Sequence, residues 1–261
     1  MLSKLLKNDL KKNMRWMWIL FVGLIAVACV NRGCKELAQN LAFFKILAIF
    51  FDSVFYSLLV NVILQPFLRS FLNFTKSIFG DESYLTHTLP VTKNQIITSK
   101  FLTAIIEIAL GFLCVVSALL IVFASPTLFP TISLLLSTII VGEISLFWVL
   151  FLFILLIIVE FLMFISIIFF SIILAYKSKE KKVLRSFLIT ALLSFVSITI
   201  LSIFMIIVLL INGIDLSSTS LVLTYNTFIS IILTGIIVYI SLTTLYFFFA
   251  KKELNKGVDV D

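Results

Sequence analysis

Three carboxylates stand inside long apolar runs of the sequence: Asp52, Glu107 and Glu160. A charge near the middle of a membrane-spanning helix costs roughly 2.5–3.5 kcal/mol, so such a residue either finds a partner or does work. Asp52 and Glu160 are the candidates to line a transport path or a seam between subunits. Glu107 lies a turn or two from the end of its run and Lys45 near the end of another, where a long side chain can snorkel to the interface. Against any such role stands ordinary pairing with a neighbouring helix. If all three acids converged in one cavity, they would suit a self-contained intramembrane enzyme instead. A second acidic feature, the adjacent pair Asp81 and Glu82, lies in a polar stretch with the sole histidine, His87. Metal chemistry is not indicated, because Cys29, Cys34 and Cys114 have no ligand spacing and neither HExxH nor CxxC occurs. Five residues across a helix end are poor geometry for a Cys29–Cys34 disulfide. No GxxxxGK[ST] phosphate loop and no GxSxG nucleophile elbow is present, and no cofactor is implied.

The elements that must position these groups follow from composition. The 261 residues are 62% apolar and only 13% charged, with a mean hydropathy of +1.23. A soluble core cannot absorb that excess. Within lipid, backbone polar groups are satisfied only in helices or closed barrels, and the apolar runs here are continuous rather than alternating. The expected fold is therefore an all-α membrane protein, a single transmembrane domain with six spans at about 16–30, 41–66, 101–123, 144–175, 187–211 and 221–249. Residues 1–15, with Leu2, Leu5, Leu6, Leu10 and Met14 opposite Lys4, Lys7, Asn8, Lys11, Lys12 and Arg15, form an amphipathic helix expected in the headgroup plane, or else a plain basic flank. Trp16 and Trp18 mark the membrane entrance. No cleavable signal is expected, for the first apolar run lacks a small-residue cleavage site. The nearly unbroken run 131–175 is split at Gly142-Glu143.

Charge supports that division. With both termini cytoplasmic, 17 of the 20 Lys and Arg fall inside and only Arg32 and Lys35 outside, Lys45 lying within a span. The net charge of +7 thus reports orientation in a bilayer and gives no reason to expect nucleic acid. Hydroxyl residues share faces of the last two spans: Ser186, Thr190, Ser194 and Ser197, then Thr227, Ser230, Thr234 and Ser241. Small polar residues of this kind let helices approach and bond.

The loop 69–100 is the one long polar interruption. Phe71, Phe74, Ile78 and Phe79 give an apolar side to a short helix ending at Gly80. Asp81, Glu82 and Ser83 have helix-start character, Leu89-Pro90 ends a second short helix, and Thr92 fits an N-cap for the third span. The result is a helical elbow that a groove on a soluble partner could grip, or an interfacial loop with no partner.

Four stretches, LLKNDLKKNMR, KSIFGDESYLTHTLPVTKNQIITSKFLTA, YKSKEKK and FFFAKKELNKGV, resemble the permease subunits of ABC-2-type ABC transporters, the short six-span kind of Gram-positive bacteria. The central GDE-x-Y-L…TLPV run is the specific part. The resemblance implies two permease copies, or two related permeases, working with separately encoded ATPase subunits. By position it places the coupling contact on Phe79, Gly80, Asp81, Glu82, Tyr84 and Leu85, with a lesser one at 177–185. It also implies export. Because the expected pathway lacks a dense polar lining, the expected cargo is amphipathic, a peptide, antimicrobial or lipid, and the expected location is the cell membrane. The alternative is a non-transport membrane sensor or scaffold that binds a cytoplasmic partner.

Overall fold

A computed structural model describes residues 2–38, 41–80, 92–123, 146–177, 182–213 and 225–256. Among these the chain forms six long helices: α1 (Leu2–Leu37), α2 (Ala42–Phe79), α3 (Lys93–Phe123), α4 (Leu146–Ala175), α5 (Lys182–Ile211) and α6 (Tyr225–Asn255). All six are long and apolar enough to cross a membrane, as a multi-pass membrane protein requires. No strand occurs among the described residues.

Five of the helices run past an end of the expected span, twice with consequences. No boundary separates residues 1–15 from the span that follows, because α1 runs unbroken from Leu2 to Leu37. Nothing between Leu2 and Val22 interrupts helix formation, as the segment holds no Gly or Pro and is rich in Leu and Lys. The second span does not stop at Pro66. The helix passes through it to Phe79, so the short helix expected to end at Gly80 is the last part of α2. Pro66 removes the hydrogen bond to the Val62 carbonyl, a loss that membrane helices accommodate. On α3, Gly111 lies against that region, with its Cβ position 3.7 Å from the Val62 oxygen. Thr92 immediately precedes α3, the N-cap position. Gly80 follows α2 where a Cβ would stand 3.0 Å from the Lys76 backbone, so a side chain there would press on the helix it ends. Gly213 ends α5 with a φ of +71°, the left-handed conformation that favours glycine. The Gly142-Glu143 division lies outside the described residues.

The chain divides into two compact units. The first comprises Met1–Asn73 and Gln95–Ser133, the second Phe74–Asn94 and Leu134–Asp261. Within the first unit, α1 buries Asn13, Met17, Phe21, Leu24, Ala28 and Asn31, successive steps of three or four residues along one stripe. Its apolar members pack with Phe55 and Val62 of α2 and Cys114, Ala118 and Val122 of α3. Within the second unit, α4 is the central helix. Val159, Met163 and Ile167 pack against Val238, Tyr239, Leu242 and Tyr246 of α6, with Leu193, Ile200 and Leu201 of α5 alongside. The rest of α5 presents Phe187, Leu192, Phe195, Ile203 and Ile211 outward, an apolar surface suited to lipid as solvent.

Candidate functional site

Glu107 is fully buried on α3, and its environment is built by three helices of the first unit. Asn13 of α1 is the hub. Its Nδ2 donates to Glu107 Oε1 at 2.5 Å, and its Oδ1 accepts from Asn73 Nδ2 of α2 at 2.6 Å. Its backbone carbonyl accepts from an Arg69 guanidinium nitrogen at 3.1 Å, while Arg69 Nε donates to Gln65 Oε1 at 2.9 Å. One helical turn before Asn13, the Asp9 carboxylate takes Lys100 Nζ at 2.6 Å and Ser99 Oγ at 3.2 Å. The second oxygen of Glu107 has no protein partner among the described residues. Sequence reasoning missed this network. The signal that was available is the spacing of Asp9 and Asn13, four residues apart and in line with buried Met17 rather than with the lysines.

Asp52 belongs to a separate network in the same unit. Its Oδ1 accepts from Asn31 Nδ2 at 2.8 Å and pairs with Lys35 Nζ at 2.7 Å. Nearby Arg32 pairs with Glu36 at 3.1 Å and donates to the Ile121 carbonyl of α3 at 3.3 Å. Asn13 and Asn31 are 18 residues apart on α1, about 27 Å of helix rise. Asp52 and Glu107 therefore sit in two separate networks of the first unit.

Glu160 lies halfway along α4 in the second unit and is exposed. Its carboxylate neighbours the buried Tyr239 of α6. Two residues of the α5 hydroxyl face bond across to other helices, as small polar residues do between helices. Thr190 of α5 bonds Ser171 of α4 at 2.6 Å, and Ser197 bonds Tyr246 of α6 at 2.8 Å.

One end of the second unit gathers the flanks of the expected coupling elbow. Phe74 is fully buried and stacks on Phe169 of α4, centroids 4.3 Å apart. Phe79 stacks on Tyr176 at 4.1 Å, and Lys182 Nζ lies over the Tyr176 ring at 5.4 Å. Beyond the elbow, Asn94 accepts from Asn255 of α6 at 3.0 Å. Lys177, just past α4, is ion-paired with Glu253 of α6, which also holds Lys256 at 2.7 Å. Both flanks of 81–91 are thus fastened to the ends of α4 and α6. Of the expected partner-binding residues, Phe79 and Gly80 are described here; Asp81, Glu82, Tyr84 and Leu85 lie outside the described residues. Neither Tyr176 nor Asn255 was singled out from sequence, since nothing in their local context marks a contact with a segment more than 90 residues away.

No group of three or more His, Cys, Asp or Glu suited to a metal ion occurs among the described residues. Comparison with protein-family models, with curated proteins and with solved structures found no match.

Proposed function

We propose that the chain is the permease subunit of an ATP-driven transporter of the ABC-2 type, acting with a separate ATPase and with a second permease copy or a related permease. It takes part in no nucleotide chemistry itself. The observation that most supports this reading is the double fastening of the GDESYL stretch: Phe79 on Tyr176 before it, and Asn94 bonded to Asn255 after it. A segment held in this way can pass a partner's push into the ends of α4 and α6. ATP binding by the partner would load Gly80, Asp81, Glu82, Tyr84 and Leu85 and shift these helices between two arrangements. Phe79, whose ring is committed to Tyr176, holds the start of the segment in place. Both termini and this segment are assigned to the cytoplasm of a cell membrane.

Asp52 is engaged through Oδ1 by Lys35 and Asn31, and its role is structural pairing. Glu160, exposed midway along α4, is the remaining candidate for the transport path. The scarcity of charged residues within the six apolar helices favours an amphipathic cargo, and the direction proposed is export. The test is co-purification from detergent-solubilised membranes. Wild type is expected to bring down an ATPase, and Asp81→Lys/Glu82→Lys, inserted and folded, is expected to lose it. If wild type brings down none, the transport reading fails in favour of a sensor or scaffold.

A further inference from the structure

We infer that the first turns of α1, above all Lys11 and Arg15, form a binding surface for anionic phospholipid headgroups. Lys4, Lys7, Lys11 and Arg15 recur at three- and four-residue steps, so they make one stripe, and all four are exposed. The other side of the helix fixes the direction of that stripe, because Asp9 is tied to Lys100 and Asn13 is buried against Glu107. The acids described in this unit are all engaged elsewhere: Asp9 with Lys100, Glu36 with Arg32, Asp52 with Lys35 and Glu107 with Asn13. The stripe keeps its charge for an outside anion.

The depth of the stripe selects lipid over an acidic protein. Trp16 and Trp18 are 61% and 58% exposed immediately beyond Arg15, where the buried apolar stripe of α1 begins. Amphipathic rings so placed lie at headgroup level. Because α1 is continuous, the cations rise away from that level instead of lying along it. Arg15 is one residue from Trp16, Lys11 about 7 Å, Lys7 about 14 Å and Lys4 about 18 Å by helix rise. Screening at 0.1 M salt acts over about 10 Å. Arg15 and Lys11 therefore fall within reach of headgroup phosphates, and Lys4 falls outside.

The test uses the full chain with Trp148→Phe, leaving Trp16 and Trp18 as the only tryptophans, in bilayers of equal phosphatidylcholine and phosphatidylglycerol. Quenching by brominated phosphatidylglycerol is compared with quenching by brominated phosphatidylcholine. The expected result is a several-fold preference for the anionic quencher, in line with roughly fivefold per cation near the surface, that shrinks as salt is raised. Arg15→Gln and Lys11→Gln should each remove much of it, Lys4→Gln little, and Lys45→Gln none. Unchanged phosphatidylcholine quenching shows that each variant is still inserted. Equal quenching by the two lipids in the wild-type sequence overturns the inference, as does a preference that survives Lys11→Gln/Arg15→Gln. Equal losses at Lys4 and Arg15 also overturn it, in favour of a helix lying flat. Salt-sensitive binding of polyglutamate without any lipid preference would assign the stripe to an acidic protein instead.

Discussion

The two units solve the same problem with different chemistry. In the first, an apolar middle is bracketed by amide and charge networks, Asn13 with Glu107, Asn73 and Arg69 at one end and Asn31 with Asp52 and Lys35 at the other. In the second, the helices are joined by close apolar packing, stacked aromatic rings and hydroxyl pairs such as Ser197 with Tyr246. In lipid, apolar side chains gain little by leaving solvent, so helix association relies on packing and on interhelical hydrogen bonds. A buried amide–carboxylate network is all-or-none, because losing one partner strands the others. Packing and hydroxyl contacts fail in small steps. The first unit should therefore be brittle and the second forgiving.

The largest effect is expected from Asn13→Leu. It leaves Glu107 buried without its donor and Asn73 without its acceptor, and should cost about 2–4 kcal/mol. In a chain of this size that is an apparent Tm loss on the order of 5–15 °C in a fixed detergent. Asn13→Leu/Glu107→Leu should recover most of the loss, since a matched apolar pair leaves no stranded carboxylate. A double variant no better than the single would show that the network does not act as a unit.

Tyr176→Ala comes next. Loss of the Phe79 stack and of the platform under Lys182 should cost about 1–2 kcal/mol, while Tyr176→Phe should be close to neutral. Under the proposed function, Tyr176→Ala should also keep the ATPase bound while lowering transport per ATP hydrolysed. Equal transport yield in the two variants would remove the stack from the coupling route.

Ser197→Ala should cost about 0.6 kcal/mol, the usual scale for a hydroxyl pair between membrane helices. A loss as large as that from Asn13→Leu would erase the contrast between the units. Gly235→Ala should have the smallest effect. A Cβ there would come 2.8 Å from Leu156 Cδ1 and 3.4 Å from Met205 Cε, but both are far ends of flexible side chains. The gain of about 1 kcal/mol from replacing a helical glycine offsets the repacking. A Tm change within about 3 °C is expected.

The helical class and the six long apolar helices were legible in the sequence, because a long apolar run in lipid has one backbone solution. Helix ends were less so. Pro66 read as a stop and Arg15-Trp16 as a boundary, yet both lie within helices, since burial of Phe74 and Asn13 against other helices outweighs the local signal. Thr190 and Ser197 of the α5 hydroxyl face were legible as helix contacts. The partners of Asp52 and Glu107 were not, because a lone acid in an apolar run looks the same whether it lines a path or bonds an asparagine on another helix.

What the sequence determined by itself is the solvent and the secondary structure: composition dictates lipid, and lipid dictates helices. The positive-charge bias indicates an orientation for the same reason, through the field at the membrane surface. Which polar groups hold helices together and which remain available depends on how the helices pack. That Asp9 and Asn13 turn inward while Lys11 and Arg15 turn outward follows from which face of α1 meets α2 and α3. Such a contact depends on residues 56 to 94 positions away in the chain, beyond the reach of any local pattern.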